Sequence, residues 1–213
     1  MSKVFIYGGS GRVAKDLIKD LVVEGYDVVA GARHPERIEK MDHVEAVKTD
    51  LHASVSDLAQ QLKDNNIEVV YFTAGSRGQD LIQTDAMGAI KTMIAAEKVG
   101  IKRYIMLSSM LSLNIDKWNA LPRLEDYLAS KFFADKFLMD STNLEYTILQ
   151  PTNLTEVKGT GKISLNNTDS KENPIPDVAM VLAHLLKFPA TKYKVIEMTG
   201  GDTPIDQALE SIK

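Results

Sequence analysis

The chain opens on Lys3–Tyr7 (KVFIY), an apolar run that stops abruptly at Gly8-Gly9-Ser10-Gly11. Val13, Leu17, Ile18, Leu21 and Val22 then recur at the spacing of an amphipathic helix. A strand that ends in glycines and passes straight into a helix is the first half of a βαβ unit. The rest of the chain keeps that rhythm. Gly25 closes the first helix, and strands are predicted at Asp27–Gly31, Val44–Lys48, Ile67–Thr73, Arg103–Leu107 and Tyr146–Leu149. Helices are predicted over Val55–Leu62, Leu81–Val99 and Leu124–Met139. The strands show little polar alternation, as expected of strands buried on both faces, so the fold class is α/β with a doubly wound parallel sheet.

After Pro151 the rhythm changes. Thr152–Pro176 is rich in Thr, Asn, Gly and Pro, with one weak strand at Lys162–Leu165 and a low-complexity tract at Asn166–Asn173. A helix at Asp177–Leu186, a strand at Lys194–Met198 and a helix at Pro204–Ile212 complete the chain. With 213 residues the whole reads as a single domain, 1–213. Residues 1–151 form its six-strand core, and 152–213 a small C-terminal cap on the substrate side.

Composition removes several function classes. A net charge of −4 argues against nucleic acid as a partner, since phosphate backbones call for a basic field. The absence of cysteine excludes disulfides, thiolate catalysis and Cys-based metal sites. His34, His43, His52 and His184 are scattered without ligand spacing, so no metal is predicted. No apolar run approaches the ~18 residues that span a bilayer, so no membrane partner is expected. Met-Ser-Lys leads directly into a strand without a signal-peptide layout, and a cytoplasmic location is expected.

The glycine turn points to a ligand. Gly8-Gly9-Ser10-Gly11-Arg12-Val13-Ala14 has the spacing G-x-x-G-x-x-A. Glycine is needed where the backbone takes positive φ and where a diphosphate must approach the main chain, and Ala14 is small enough for helix to meet strand. Phosphates would rest on the helix N-terminus, where free N–H groups and the dipole favour an anion. The second strand ends Ala30-Gly31-Ala32-Arg33, with no acid at its tip to hold adenosine ribose hydroxyls. Arg33, with Arg12 from the turn, favours a 2′-phosphate and therefore NADP over NAD. Asp50-Leu51, at the next strand end, is placed to bracket the adenine, although Asp50 is equally suited to cap the following helix. Thr73-Ala74-Gly75 forms a further small-residue turn where backbone can approach a cofactor.

A catalytic set follows. The strand at Arg103–Leu107 is followed by Ser108-Ser109, and the next helix carries Tyr127-x-x-x-Lys131, one turn apart on one face. A phenol near pKa ~10 is a poor acid at neutral pH, and a neighbouring ammonium favours its anion. A serine hydroxyl on the adjacent strand end can orient a substrate carbonyl while the tyrosine gives it a proton. Trp118, with Leu111, Leu113 and Leu121, is either an apolar lid over the substrate or a buried anchor for its loop.

These residues resemble those of atypical short-chain dehydrogenases/reductases, near the small NmrA-like NAD(P)-binding proteins. The resemblance covers almost the whole chain and is carried by YGGSGRVAKDLI, DAMGAIKTMIAAEKVGIKRYIMLSS, YLASKFFADKFL, LEYTILQPTNLTE and MTGGDTPIDQAL. It implies a Rossmann-type fold, NADP as cofactor, and Ser109, Tyr127 and Lys131 as the catalytic set. It also brings Ser108, Tyr127, Lys131 and the Pro151-Thr152-Asn153-Leu154 segment to the cofactor, with Thr152 standing where many relatives have glycine. The expected activity is hydride transfer to a small carbonyl, quinone or similar acceptor, by a monomer or homodimer. Two alternatives carry over: a non-catalytic NADP(H) sensor of NmrA type, and a flavin or tetrapyrrole reductase. A nucleotide-sugar epimerase is disfavoured, because only about sixty residues follow the sixth strand.

Overall fold

The computed structural model describes residues 2–166 and 172–213, so most of the low-complexity tract at 166–173 lies outside the described residues. The opening run forms strand β1 (Lys3–Tyr7) in the middle of the sheet, and the amphipathic stretch forms helix α1 (Arg12–Val23). There follow β2 (Asp27–Ala32), β3 (Val44–Lys48), α2 (Val55–Asp64), β4 (Val69–Phe72), α3 (Met87–Lys98), β5 (Arg103–Leu107), α4 (Glu125–Ser141) and β6 (Glu145–Pro151). Among the described residues the last third adds β7 (Asn153–Thr155), β8 (Lys162–Leu165), β9 (Glu172–Pro174), α5 (Ile175–His184), β10 (Lys194–Gly200), β11 (Thr203–Pro204) and α6 (Ile205–Glu210).

The main sheet runs β11-β8-β10-β6-β5-β4-β1-β2-β3 among the described residues. From β10 to β3 every pairing is parallel, and β8 pairs antiparallel with both β10 and β11. A separate two-stranded ribbon joins β7 to β9. Strand β1 shows why both sides of the sheet had to be apolar. Val4 and Ile6 face a core built with α1, α5 and α6, while Phe5 and Tyr7 face a second core built with α2, α3 and α4. Each such side chain contributes roughly 1.5–3 kcal/mol on burial, and the side-chain period of two divides them between the layers. Strand order reverses between β1 and β4, which opens a crevice at their carboxyl ends.

Three helices end in one way. Gly25, Asn66 and Gly100 take positive φ (85°, 53° and 82°) just beyond α1, α2 and α3. The N–H of the next residue reaches back to the last turn: Tyr26 to Leu21, Ile67 to Leu62, Ile101 to Ala96, at 3.0–3.2 Å. This is the Schellman arrangement, whose apolar residue after the left-handed position packs back on the helix. It explains one departure from expectation. Ile67 belongs to the end of α2, so the fourth strand begins at Val69. A second departure is the helix expected over 81–99, which the structure divides into a π-helical turn, Leu81–Ala86, followed by α3. The short ribbon β7–β9 and strand β11 lacked any apolar run long enough to announce them. Strand β10 lies parallel beside β6 and α5 packs against α1, so residues beyond Pro151 also complete the sheet and its helical layer.

Candidate active site

The glycine turn sits at the crevice and owes its shape to contacts that a side chain would block. Gly8 has φ +87°, and a Cβ there would stand 2.6 Å from the Ala74 Cα. A Cβ on Gly9 would meet the Ala30 Cβ at 2.9 Å. The N–H groups of Gly8 and Gly9 both donate to the Gly31 carbonyl, at 3.1 and 2.9 Å, and Gly11 N–H donates to Gly8. The turn is thus clamped between the ends of β2 and β4. Gly11 is the N-cap of α1 and provides no side-chain cap, nor does the first turn hold an acid. The first N–H groups of α1 remain available to an anion. Val13 and Ala14 are buried beneath the turn, and Ser10 is exposed upon it.

Beside the turn a cleft of about 450 Å³ separates α1 from the chain after β2. Its wall includes Ser10, Arg12, Lys15, Lys19 and Arg37 together with Glu36 and Glu39. The carboxylates are already engaged: Glu39 pairs with Lys19 at 2.9 Å and Glu36 with His34 at 3.1 Å. Lys15 and Arg37 were not among the residues expected here; the spacing of Lys15 from Arg12 on the first turn of α1 was the available signal. Arg33 is exposed at the end of β2 and does not line this cleft. Arg12 reaches the carboxylate of Glu156 at 3.2 Å.

The other strand ends follow in order. Asp50 accepts the N–H of His52 at 2.9 Å, while Ser54 and Asp57 form the capping box of α2. Asp50 is therefore not the cap. Leu51 packs over α3 where Gly88 leaves room, since a Cβ on Gly88 would lie 3.2 Å from the Leu51 Cβ. Thr73 is tied to the Tyr7 carbonyl through both its N–H and its hydroxyl, at 2.9 and 3.0 Å. Ala74 and Gly75 continue into Ser76, whose N–H donates to Asp85. Pro151 ends β6 and accepts the N–H of Met110, and Thr152 accepts from the Asn173 side chain. Asn153 is exposed and Leu154 half-buried on the ribbon.

The Tyr127–Lys131 pair lies on α4. Lys131 is 3% exposed, with Nζ 5.8 Å from the centroid of the Tyr127 ring and 3.8 Å from Asp85 Oδ1. Ser109, half-buried beyond β5, donates to the Met110 carbonyl at 3.3 Å. Ser108 turns the other way, into the protein. Its hydroxyl donates to Asp135 Oδ2 at 2.6 Å, which also accepts from Ser112 at 2.7 Å and from Gln150 at 3.1 Å. Burial pushes the Asp135 carboxyl up to about 6, against Ser108, Ser112, Lys131 and Gln150, which favour its charged form. Asp85, Asp135 and Gln150 are site residues that sequence reasoning missed. Asp135 stands four residues beyond Lys131 on the same face, a legible signal; Asp85 and Gln150 reach the site only through the fold.

Trp118 is buried. Its Nε1–H donates to the Leu111 carbonyl at 2.8 Å and its ring meets Phe132 edge-on at 5.9 Å, so it anchors the loop between β5 and α4.

The sequence signature described as NAD(P)H-binding matches residues 8–189. The chain belongs to the NAD(P)H-binding family. The structure of the oxidoreductase ylbE from Lactococcus lactis is 41% identical and superposes with a TM-score of 0.94, covering 99% of this chain and 96% of that one. The uncharacterized sugar epimerase YhfK of Bacillus subtilis is 33% identical over 99% of this chain and all of its own length. A wide-type short-chain dehydrogenase/reductase from Veillonella parvula, solved with NADP, shares the fold at 18% identity and a TM-score of 0.77, covering 95% of this chain and 98% of that one. The Rossmann fold of this chain follows from these likenesses. Among its described residues no helix is long and apolar enough to cross a membrane.

Proposed function

We propose that this NAD(P)H-binding protein is an NADP-dependent oxidoreductase acting on a small carbonyl, quinone or similar acceptor. The observation that carries the reading is the buried Lys131 ammonium beside the Tyr127 ring, with Ser109 on the neighbouring strand end. The glycine turn fits a dinucleotide, because a Cβ at Gly8 or Gly9 would collide with Ala74 or Ala30, and only this tight turn brings the uncapped N-terminus of α1 to the crevice. Gly8, Gly9, Ser10, Gly11, Arg12 and Val13 would hold the diphosphate side, and Asp50, Leu51, Thr73, Ala74 and Gly75 the adenosine side and the crossing of the crevice. Pro151, Thr152, Asn153 and Leu154 would flank the nicotinamide. When bound, the cofactor supplies the hydride.

The chain's own residues do the rest. Ser109 orients the acceptor oxygen by donating its hydroxyl proton in a hydrogen bond, and Tyr127 delivers its phenolic proton to that oxygen. Lys131 stabilises the phenolate left behind, in a site where burial strengthens the interaction. Preference for NADP is supported by Arg12, Lys15 and Arg37 around the cleft, by Arg33 at the end of β2, and by the absence of an acid at that tip.

Titration with NADPH and NADH, followed by NADPH oxidation over aldehydes, quinones and flavins, tests the reading. Expected are tighter NADPH binding, turnover of at least one acceptor and its loss in Tyr127→Phe. Arg33→Asp is expected to weaken NADPH binding more than NADH binding. Turnover that survives Tyr127→Phe would point to a flavin- or tetrapyrrole-reductase mechanism, and tight NADPH binding without turnover to a sensor. The sugar-epimerase name of the relative YhfK supports one further reading: the same Ser–Tyr–Lys set serves an enzyme that returns its hydride. Such an enzyme interconverts a sugar with no net consumption of NADPH, so it is separated from a sensor only by following sugar interconversion directly with cofactor present.

A further inference from the structure

Beside Lys131 lies a carboxylate to which the chemistry above gives no task. Asp85 is 1% exposed and stands in the π-helical turn Leu81–Ala86 that leads into α3. Single π-helical turns are uncommon and recur at functional sites. The two oxygens of Asp85 face different parts of the candidate site. Oδ2 accepts the Ser76 N–H at 2.9 Å, which fixes the small-residue turn after β4. Oδ1 lies 3.8 Å from Lys131 Nζ, and among the described residues it has no hydrogen-bond partner. The Ser76 hydroxyl beside it is also buried without a partner.

An ammonium and a carboxylate both buried this deeply are costly to desolvate, and a structural pair offsets that cost by closing to hydrogen-bond distance. This pair does not close. On its own helix Lys131 also faces the Tyr127 ring and the carboxylate of Asp135, one turn away on either side. The ammonium is therefore shared between a carboxylate that controls the turn after β4 and the phenol that gives up the proton.

We propose that Asp85 is a positioning residue that couples occupancy of the dinucleotide groove to the aim of Lys131 at Tyr127. It acts from both ends, through the Ser76 N–H on the groove side and through its charge on the Lys131 side. The inference rests on the oxidoreductase reading of this site.

The test is a double-mutant cycle on NADPH dissociation constants with Asp85→Asn and Lys131→Met. Asparagine can keep an oxygen for the Ser76 N–H while an uncharged amide NH2 replaces the oxygen that faces Lys131. In the unmodified background Asp85→Asn is expected to weaken NADPH binding by on the order of fivefold, and in the Lys131→Met background to have no effect. An equal loss in both backgrounds, or no loss in either, overturns the coupling. Lys131→Met leaves Asp85 buried without its cation, so a second variant guards against misfolding. Asp85→Glu keeps the charge, and recovery of NADPH affinity relative to Asp85→Asn supports the role, whereas a loss as large as that of Asp85→Asn overturns it. The underlying reading fails separately: absence of turnover on every acceptor sinks the oxidoreductase assignment while the binding cycle still reports. Failure to bind either cofactor overturns both.

Discussion

Arg12, in the glycine turn, and Glu156, in the chain leaving β7, form an ion pair of 3.2 Å across 144 residues of sequence. The guanidinium proposed to meet a cofactor phosphate is thus held by a carboxylate of the same chain. Exposed pairs of this kind are worth about 0.2–1 kcal/mol and are screened by salt. Glu156→Gln is expected to tighten NADPH binding by no more than about fivefold, given that pair energy. Fluorescence titration at low and high salt checks it, and the gain should shrink as salt rises. Weaker binding in the variant would show that Glu156 assists the cofactor.

Gly8→Ala is expected to abolish cofactor binding and destabilise the fold. The left-handed backbone costs a Cβ-bearing residue roughly 1–2 kcal/mol, to which the approach to Ala74 adds. That approach, 2.6 Å to a backbone atom, cannot be relieved by a rotamer change. Thermal melting and NADPH titration of the variant give the two readouts; a variant that binds normally would exclude a tight clamp at this turn.

Asp135 makes stability depend on pH in a defined window. Its folded carboxyl titrates at about 6 against 3.8 ordinarily, so the folded chain holds the proton more tightly than the unfolded chain does. The stabilisation is complete below about pH 4 and is lost as pH rises through about 6. Urea unfolding is therefore expected to show a decrease of about 1 kcal/mol from this group between pH 5 and pH 7.5. The half-buried Asp20, raised to about 6 first by burial and then by Asp16, adds in the same direction. Asp135→Asn should remove its share of the slope and leave that of Asp20. An unchanged slope in the variant would contradict the assignment.

Tyr7 ends β1 with its ring buried, and among the described residues its hydroxyl has no hydrogen-bond partner. Burial, reinforced by Tyr104, holds the phenol in its neutral form. A buried hydroxyl without a partner costs about 1–3 kcal/mol of desolvation. Tyr7→Phe keeps the ring contacts with Phe5 and Phe72 and is expected to stabilise the protein by about 1 kcal/mol, a rise of a few degrees in Tm. A fall in Tm would reveal a partner for the hydroxyl.

What the sequence made legible was governed by local physics. Strands Lys3–Tyr7, Val44–Lys48, Arg103–Leu107 and Lys162–Leu165 have the ends expected of them, because apolar runs bounded by turn residues leave little choice of register. The glycine spacing and the Tyr127–Lys131 pair were equally visible, each lying within one turn of one element. Asp85 was hidden because its role depends on a π-helical turn, which the apolar pattern over 81–99 does not distinguish from α-helix. Gln150 reaches Asp135 only through the pairing of the central strands, and Ser108 differs from Ser109 only in the direction its side chain leaves the strand. Arg12 and Glu156 were out of reach for the same reason, lying 144 residues apart in the sequence and meeting only in the fold.

The packing of α5 on α1 bears on the order in which the molecule can be made. Residues 175–184 supply Val178, Ala179 and Leu182 to the layer that buries Leu17 and Leu21, while β10 covers the exposed ladder of β6. During synthesis the glycine turn emerges well before α5, so α1 lacks this neighbour until residues 175–184 have left the ribosome. The layer under the glycine turn therefore closes only with residues late in the sequence, and a product truncated before residue 175 is expected to leave Leu17 and Leu21 uncovered on that side.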